Sequence, residues 1–157
     1  MSVFHFYDTS ALLKNYVDEK GSIWLRQQLC AIDALHVIGA LTRVEVFASF
    51  ARARKAKYRS AEVLDKAINA FKQDLTAAIG VFANNDDLIE KAIQLTQQYA
   101  LRGYDAIQLA NALALKHRLH ADNATPTHEL IFFCADIELL SAAKAEGLAI
   151  ANPNDYD

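Results

Sequence analysis

The chain has few cysteines, no long apolar run and no excess of basic residues, and each shortage excludes a class of protein. Its two cysteines, Cys30 and Cys134, form no CxxC pair, which argues against a zinc site, and we expect both thiols to be free and buried. No segment approaches the roughly 18 apolar residues that a membrane span needs. Residues 1–8 lack a basic start followed by a long apolar stretch, so we expect no signal peptide and a cytoplasmic protein. The net charge of −3 argues against a protein that coats nucleic acid.

The residues that are present are typical of one globular domain. A chain of 157 residues that is 53% hydrophobic and 22% charged can bury a substantial core without disulfides. Residues 1–157 contain no internal repeat, low-complexity stretch or linker, so we predict a single domain. Positive charge is concentrated locally, between Arg52 and Arg59.

Short apolar runs alternate with segments of helical periodicity along the whole chain. The predicted strands are 3–7, 35–38, 78–82, 130–134 and 148–151. The predicted helices are 10–16, 22–29, 42–57, one beginning at 60, 84–101, 104–119 and 136–146, with a loop over 120–128. Such alternation predicts an α/β fold whose mainly parallel sheet is covered by helices on both faces.

Four acidic residues fall where this topology could bring them together. Asp8 follows the first predicted strand, and Asp136 lies two residues beyond the fourth. Glu45 and Asp105 each lie in the first turn of a predicted helix. Sites in open parallel sheets form beyond the carboxyl ends of the strands, where the following helices begin. Mg²⁺ and Mn²⁺ prefer hard oxygen ligands, so a carboxylate cluster at this edge predicts a metal site.

Each acid also has a simpler interpretation as a helix cap. Asp is a favoured N-cap residue, and Thr42 followed by Glu45 three residues later matches a capping box. The two interpretations are compatible, because one carboxylate can cap a helix and bind a metal. Spacing alone leaves both open.

Four segments occur in order along the chain, each with one of the four acids: residues 7–14 (YDTSALLK), 41–46 (LTRVEV), 101–110 (LRGYDAIQLA) and 132–136 (FFCAD). Together they resemble the motifs of the PIN-domain family, and most closely those of VapC-type toxins from toxin–antitoxin pairs. The resemblance runs from Val3 to about Pro153. It implies a three-layer α/β/α sandwich with a mainly parallel central sheet.

The resemblance also implies an activity and a set of partners. The chain would be a Mg²⁺-dependent endoribonuclease, with Mn²⁺ as a possible substitute, acting as the toxin of its pair. Asp8, Glu45, Asp105 and Asp136 would be the catalytic and metal-binding residues, and Ser10 would help to position metal or substrate. The implied partners are an RNA substrate, a cognate antitoxin and a second copy of the chain in a homodimer, without a membrane.

Three features leave alternatives. Cys134 stands where the family often has Thr or Ser, and a thiol is a poorer hydrogen-bond partner for the support of Asp136. This departure motivates a second hypothesis, a PIN-like RNA- or partner-binding module with weak or no catalysis. Arg102 either contacts RNA phosphate or pairs with a carboxylate. The basic run 52–59 is either a solvated helix end or a phosphate-steering surface.

Overall fold

The computed structural model describes residues 2–121 and 128–156. Within them lie five strands: β1 (Ser2–Tyr7), β2 (Ala34–Gly39), β3 (Ile79–Phe82), β4 (His128–Phe133) and β5 (Ala149–Ala151). The helices are α1 (Thr9–Tyr16), α2 (Ser22–Leu29), α3 (Ala40–Lys55), α4 (Ala61–Ala77), α5 (Asp86–Tyr99), α6 (Gly103–Leu119) and α7 (Ile137–Ala145). A short 3₁₀ turn, Pro153–Asp155, follows β5.

The strands form one parallel sheet in the order β3-β2-β1-β4-β5. Successive side chains point to opposite faces, so Phe6 enters one core and Tyr7 the other. On β4, Phe132 packs in the same core as Phe6, and Phe133 packs in the same core as Tyr7. Helices α1 to α4 cover one face and α5 to α7 cover the other. The three-layer α/β/α sandwich with a parallel central sheet is therefore confirmed.

Most predicted elements are present with their ends shifted by a few residues. The helix predicted to begin at residue 60 is present as α4, and its Leu64 and Phe71 are fully buried against the sheet. Gly147 follows α7 with a left-handed φ of 80°, a conformation that glycine adopts readily after a helix end. Most of the loop predicted over residues 120–128 lies outside the described residues, and His128 already belongs to β4.

Two local predictions are wrong. Helix α3 begins at Ala40, with Gly39 as its N-cap, so Thr42 is inside the helix and forms no capping box. Glu45 consequently lies in the second turn of α3 instead of the first. Cys30 is exposed although it was expected to be buried, whereas Cys134 is buried and both thiols are free.

Candidate active site

The neighbouring strands β1 and β4 bring two of the predicted acids to one edge of the sheet. Tyr7 at the end of β1 is in register with Phe133 at the end of β4. The next residue, Asp8, donates its backbone N–H to the carbonyl oxygen of Phe133 at 2.9 Å. Between β1 and β4 the strand order reverses direction, and this is where α/β sheets form ligand crevices.

A cleft of about 410 Å³ opens at this edge, and all four predicted acids line it. Asp8 caps α1 and Asp136 caps α7, while Glu45 comes from α3 and Asp105 from the first turn of α6. The structure therefore gathers carboxylates from four distant parts of the chain around one cleft. Capping and convergence coexist at Asp8 and Asp136, as the sequence allowed.

Asp8 is the most deeply buried of the four. Its Oδ2 accepts hydrogen bonds from the Ser10 backbone N–H at 3.0 Å, the Ser10 hydroxyl at 2.5 Å and the Cys134 thiol at 3.5 Å. Burial raises the pKa of Asp8, and the bonds from Ser10 and Cys134 act in the opposite direction. A cation in the cleft would offset the cost of keeping this buried carboxylate ionised.

Glu45 is held by polar groups that the sequence reasoning missed. Its Oε2 accepts hydrogen bonds from Thr9 Oγ1 at 2.7 Å and from Gln108 Nε2 at 2.6 Å. Gln108 is buried and also contacts the Thr42 hydroxyl, which lies 2.8 Å from its Nε2 and 3.0 Å from its Oε1. Thr42 therefore holds Gln108 by hydrogen bonding instead of capping α3. The available sequence signal was that Gln108 follows Asp105 by three residues, on the same side of α6.

Asp105 lies where burial and negative charge act together. Burial, the charge of Asp8 and smaller contributions from Asp136 and Glu45 raise the pKa of Asp105 to about 6, against an opposing effect of Arg102. Arg102 Nε lies 3.5 Å from Asp105, and Arg102 Nη2 lies 3.6 Å from Asp136. The Arg102 side chain is 80% exposed, so it pairs with carboxylates yet remains accessible from solvent.

Cys134 connects the two sheet-edge acids through a neutral thiol. Its sulfur accepts the Asp136 backbone N–H at 3.2 Å and lies within reach of Asp8. Burial and the Asp8 charge raise the pKa of this thiol, so it stays protonated. Ser10 completes the link, because its hydroxyl accepts the Ala135 backbone N–H at 2.9 Å. The thiol therefore links Asp8 to the β4–α7 turn through hydrogen bonds that are weaker than those of the hydroxyl the family often has at this position.

The donor set fits a hard divalent cation, although the acids are spread around the cleft. Among residues 2–121 and 128–156, no three His, Cys, Asp or Glu side chains form a compact group ready to hold a metal. The lining nevertheless offers carboxylate oxygens from four residues, the ligand type that Mg²⁺ prefers. Burial, and then the negative charge of the other acids, raises the pKa of Asp105 despite the nearby Arg102.

Arg52 from α3 is a further cleft residue that the sequence reasoning did not assign to the site. Its Nη2 donates a hydrogen bond to the Ser49 hydroxyl at 2.9 Å. The predicted basic run thus begins inside the cleft.

Comparisons with known proteins give the fold. No family model and no curated protein matches the chain. Among solved structures, PAE2754 from Pyrobaculum aerophilum is similar, with a TM-score of 0.62 at 20% identity over 94% of this chain and 83% of that one. A chain of a toxin-antitoxin complex from Klebsiella pneumoniae is similar with a TM-score of 0.56, at 19% identity over 95% of this chain and 97% of that one. A chain of the structure of VapBC2 from Rickettsia felis bound to a promoter DNA fragment is similar with a TM-score of 0.62, at 11% identity over 95% of this chain and 98% of that one.

These similarities bear out the fold that the resemblance to PIN-domain, VapC-type proteins implied. At such low identity they establish the fold alone, so the chemistry of the cleft is argued from the residues of this chain. Within the described residues, no helix combines the length and the apolar character needed to cross a membrane.

Proposed function

We propose that the chain is a Mg²⁺-dependent endoribonuclease that acts as the toxin of a toxin–antitoxin pair. The observation that supports this proposal is the convergence of Asp8, Glu45, Asp105 and Asp136 on one cleft at the carboxyl edge of the sheet. A fold shared with chains of toxin–antitoxin complexes is consistent with it.

The residues of the cleft have distinct parts in the proposed reaction. Asp8, Glu45, Asp105 and Asp136 would hold Mg²⁺ or Mn²⁺, which supplies charge stabilisation for phosphodiester hydrolysis when bound. Thr9 and Gln108 fix the position of Glu45. Without a bound cation the pKa of Asp105 is about 6, so a proton and the metal would compete for this carboxylate below about pH 6.

Two arginines flank the acids and would bind the phosphates of the substrate. Arg52 lies on the α3 wall, and Arg102 lies at the start of α6. Guanidinium groups bind phosphate oxygens in a bidentate manner. Arg102 already spans Asp105 and Asp136, so a phosphate or a metal would compete with these contacts.

The partners in this proposal are RNA, a cognate antitoxin and a second copy of the chain. The support for the antitoxin is that structural neighbours occur in complexes described as toxin–antitoxin or VapBC. The homodimer rests on the resemblance of the four motifs to VapC-type proteins.

A binding module with weak or no catalysis is the second candidate function. Cys134 favours it, since a thiol holds the Asp8 and Asp136 segments through longer and weaker hydrogen bonds than a hydroxyl forms. This candidate predicts RNA or partner binding without turnover. RNA cleavage by pure protein above a chelator control would eliminate it.

The deciding experiment compares Asp8→Asn and Asp105→Asn with wild type on RNA and DNA substrates, with Mg²⁺ and with chelator. Asn retains N-cap capacity at Asp8 while removing the charge, so both variants should fold. We expect RNA cleavage to fall by at least about 100-fold in each. Asp87→Asn, a matched change in the first turn of α5 outside the acidic cleft, should keep full activity. Retained, chelator-sensitive cleavage in both site variants would show that the site assignment is wrong.

A further inference from the structure

The C-terminal half of α3 and the turn after it form a positively charged surface next to the acidic cleft. Residues 46–61 contain no acid, whereas Arg52, Arg54, Lys55, Lys57 and Arg59 all fall within them. The whole chain carries a net charge of −3, so this surface differs in sign from the rest of the molecule. Such a local excess attracts an anionic partner.

A groove of about 660 Å³ runs along this surface, and we call it the Tyr58 groove. Its lining is Ser49, Arg52, Ala53, Lys55, Ala56 and Tyr58. Ser49 and Arg52 also line the acidic cleft, so the groove continues the cleft along α3. A polymer held in the cleft would therefore extend into the groove without leaving the surface.

The turn at the end of α3 fixes the backbone of Tyr58 by two hydrogen bonds. Lys57 adopts a left-handed φ of 56°, and the backbone N–H of Tyr58 donates to the carbonyl of Ala53 at 3.1 Å. With the bond from Lys57 N–H to Arg54 at 3.2 Å, this is a Schellman turn. The turn orders the Tyr58 backbone, yet the Tyr58 side chain remains 81% exposed. A solvent-exposed ring carried on an ordered turn is suited to stacking.

The two cations that line the groove are available to a ligand, whereas two neighbouring arginines are engaged by other groups. Arg54 is paired with Asp65, and Arg59 donates to the backbone carbonyl of Asp18 at 2.9 Å. Within the part of the chain that the structure describes, neither Arg52 nor Lys55 has a carboxylate within 4.0 Å. The groove therefore presents two uncompensated positive charges and one aromatic face.

We propose that the Tyr58 groove binds the stretch of single-stranded RNA adjoining the phosphodiester in the acidic cleft. Arg52 and Lys55 contact successive phosphates, and one unpaired base stacks on Tyr58. Alternating cations and an exposed aromatic ring are the usual means of holding a single strand. A duplex keeps its bases stacked inside and cannot offer one to Tyr58. This inference rests on the proposed ribonuclease function and specifies the form of its substrate.

The test measures the affinity of the full chain for a fluorescently labelled single-stranded RNA by anisotropy, in chelator so that no cleavage occurs. Tyr58→Phe preserves the stacking face, whereas Tyr58→Leu keeps apolar bulk without it. We expect Tyr58→Phe to bind like wild type and Tyr58→Leu to bind about tenfold more weakly. The same RNA in a duplex should bind more weakly and be unaffected by Tyr58→Leu.

Salt dependence tests the phosphate contact separately. Lys55→Ala should reduce the slope of log affinity against log salt by about 0.7, the value for one phosphate of a single strand. Lys144→Ala on α7, outside the groove, removes the same charge from an exposed site and should leave the slope unchanged.

The outcomes separate this inference from the function on which it rests. If wild type cleaves RNA but neither Tyr58→Leu nor Lys55→Ala changes binding, the groove is not the RNA track and the nuclease assignment stands. If both variants weaken binding while no RNA is cleaved with Mg²⁺, RNA binding in the Tyr58 groove is supported and the catalytic proposal fails. Equal loss in Tyr58→Phe and Tyr58→Leu, which would indicate a contact through the hydroxyl, or unimpaired binding in Tyr58→Leu, would contradict stacking. Absence of RNA binding by wild type would overturn the inference.

Discussion

Asp105 is the cleft residue whose ionisation has the clearest energetic consequence. Its pKa of about 6 in the folded chain exceeds the ordinary value of 3.8. The native state therefore binds a proton more tightly than the unfolded state between about pH 4 and 6. The free energy of unfolding falls as pH rises through this window, and the loss persists above pH 6. At neutral pH without metal, the Asp105 charge thus opposes folding.

Removing this charge should stabilise the metal-free protein. A difference of about two between folded and unfolded pKa corresponds to at most roughly 3 kcal/mol, and partial exposure reduces it. We expect Asp105→Asn to raise the free energy of unfolding by about 1–2 kcal/mol at pH 7 and by almost nothing at pH 4. Urea unfolding at both pH values in chelator measures this.

The exposed Asp87→Asn variant is the control for the loss of one carboxylate and should show no comparable gain at pH 7. A less stable Asp105→Asn protein at pH 7 would mean that the contact between Arg102 and Asp105 outweighs the burial of Asp105 and the repulsion among the acids.

At the scale of elements, the approach of α6 to the β2–α3 junction fixes Glu45. Gly39 ends β2, and a Cβ atom on it would lie 2.9 Å from Asn111 Nδ2 and 3.3 Å from Gln108 Oε1. Glycine is needed here because of this close approach, since its φ of −72° is ordinary. The close packing lets Gln108 reach Glu45 across the helix interface.

Substituting Gly39 should therefore disturb both stability and the site. Asn111 is fully buried and donates to the Ile107 carbonyl, so it cannot move aside freely. We expect Gly39→Ala to cost about 1–3 kcal/mol and to lower RNA cleavage by loosening the contact between Gln108 and Glu45. Thermal unfolding and initial cleavage rates measure the two effects.

Gly80→Ala on β3 is the matched comparison. A Cβ there would come no closer than 3.5 Å to its nearest neighbour, the backbone oxygen of His36, so both stability and cleavage should be preserved. Equal behaviour of the two variants would contradict the tight packing at Gly39.

The sequence predicted local structure well where neighbours along the chain determine it. Asp8 and Ser60 begin helices as their residue types suggested, and the apolar run at residues 3–7 forms β1, which contributes to both cores. The capping box failed because α3 begins two residues before Thr42, whose hydroxyl contacts Gln108, 66 residues away in the sequence. A tertiary partner of this kind leaves no signal next to Thr42. The hydrogen bonds to Glu45 were missed because Thr9 and Gln108 are also distant from it in the sequence, although the spacing of Gln108 after Asp105 was available as a signal.

At the scale of the whole molecule, the sheet order explains why distant acids meet. The chain builds outward from β1 to β2 and β3, then returns to place β4 on the other side of β1. Asp8 and Asp136 thus follow adjacent strands although 128 positions separate them. Motifs in the correct order predicted this convergence, but strand order and the extension of the cleft along α3 became visible only in three dimensions.

If the four carboxylates bind a cation as proposed, the cation should stabilise the folded state, which gives a test that does not require activity. A ligand that binds only the native state stabilises it by about 2.7 kcal/mol at 100 times its Kd. For a chain of this size we expect saturating Mg²⁺ to raise the melting temperature by roughly 5–10 °C at pH 7.5. NaCl at equal ionic strength controls for screening, and Asp8→Asn should lose most of the rise.

The same rise should shrink below about pH 6. Asp105, with its pKa of about 6, then holds a proton that competes with the metal. Melting curves with and without Mg²⁺ between pH 5 and 8 measure this dependence. A Mg²⁺ effect no larger than that of NaCl would mean that the cleft does not bind the ion. A full effect at pH 5 would mean that binding does not require ionised Asp105, and that Asp8, Glu45 and Asp136 suffice.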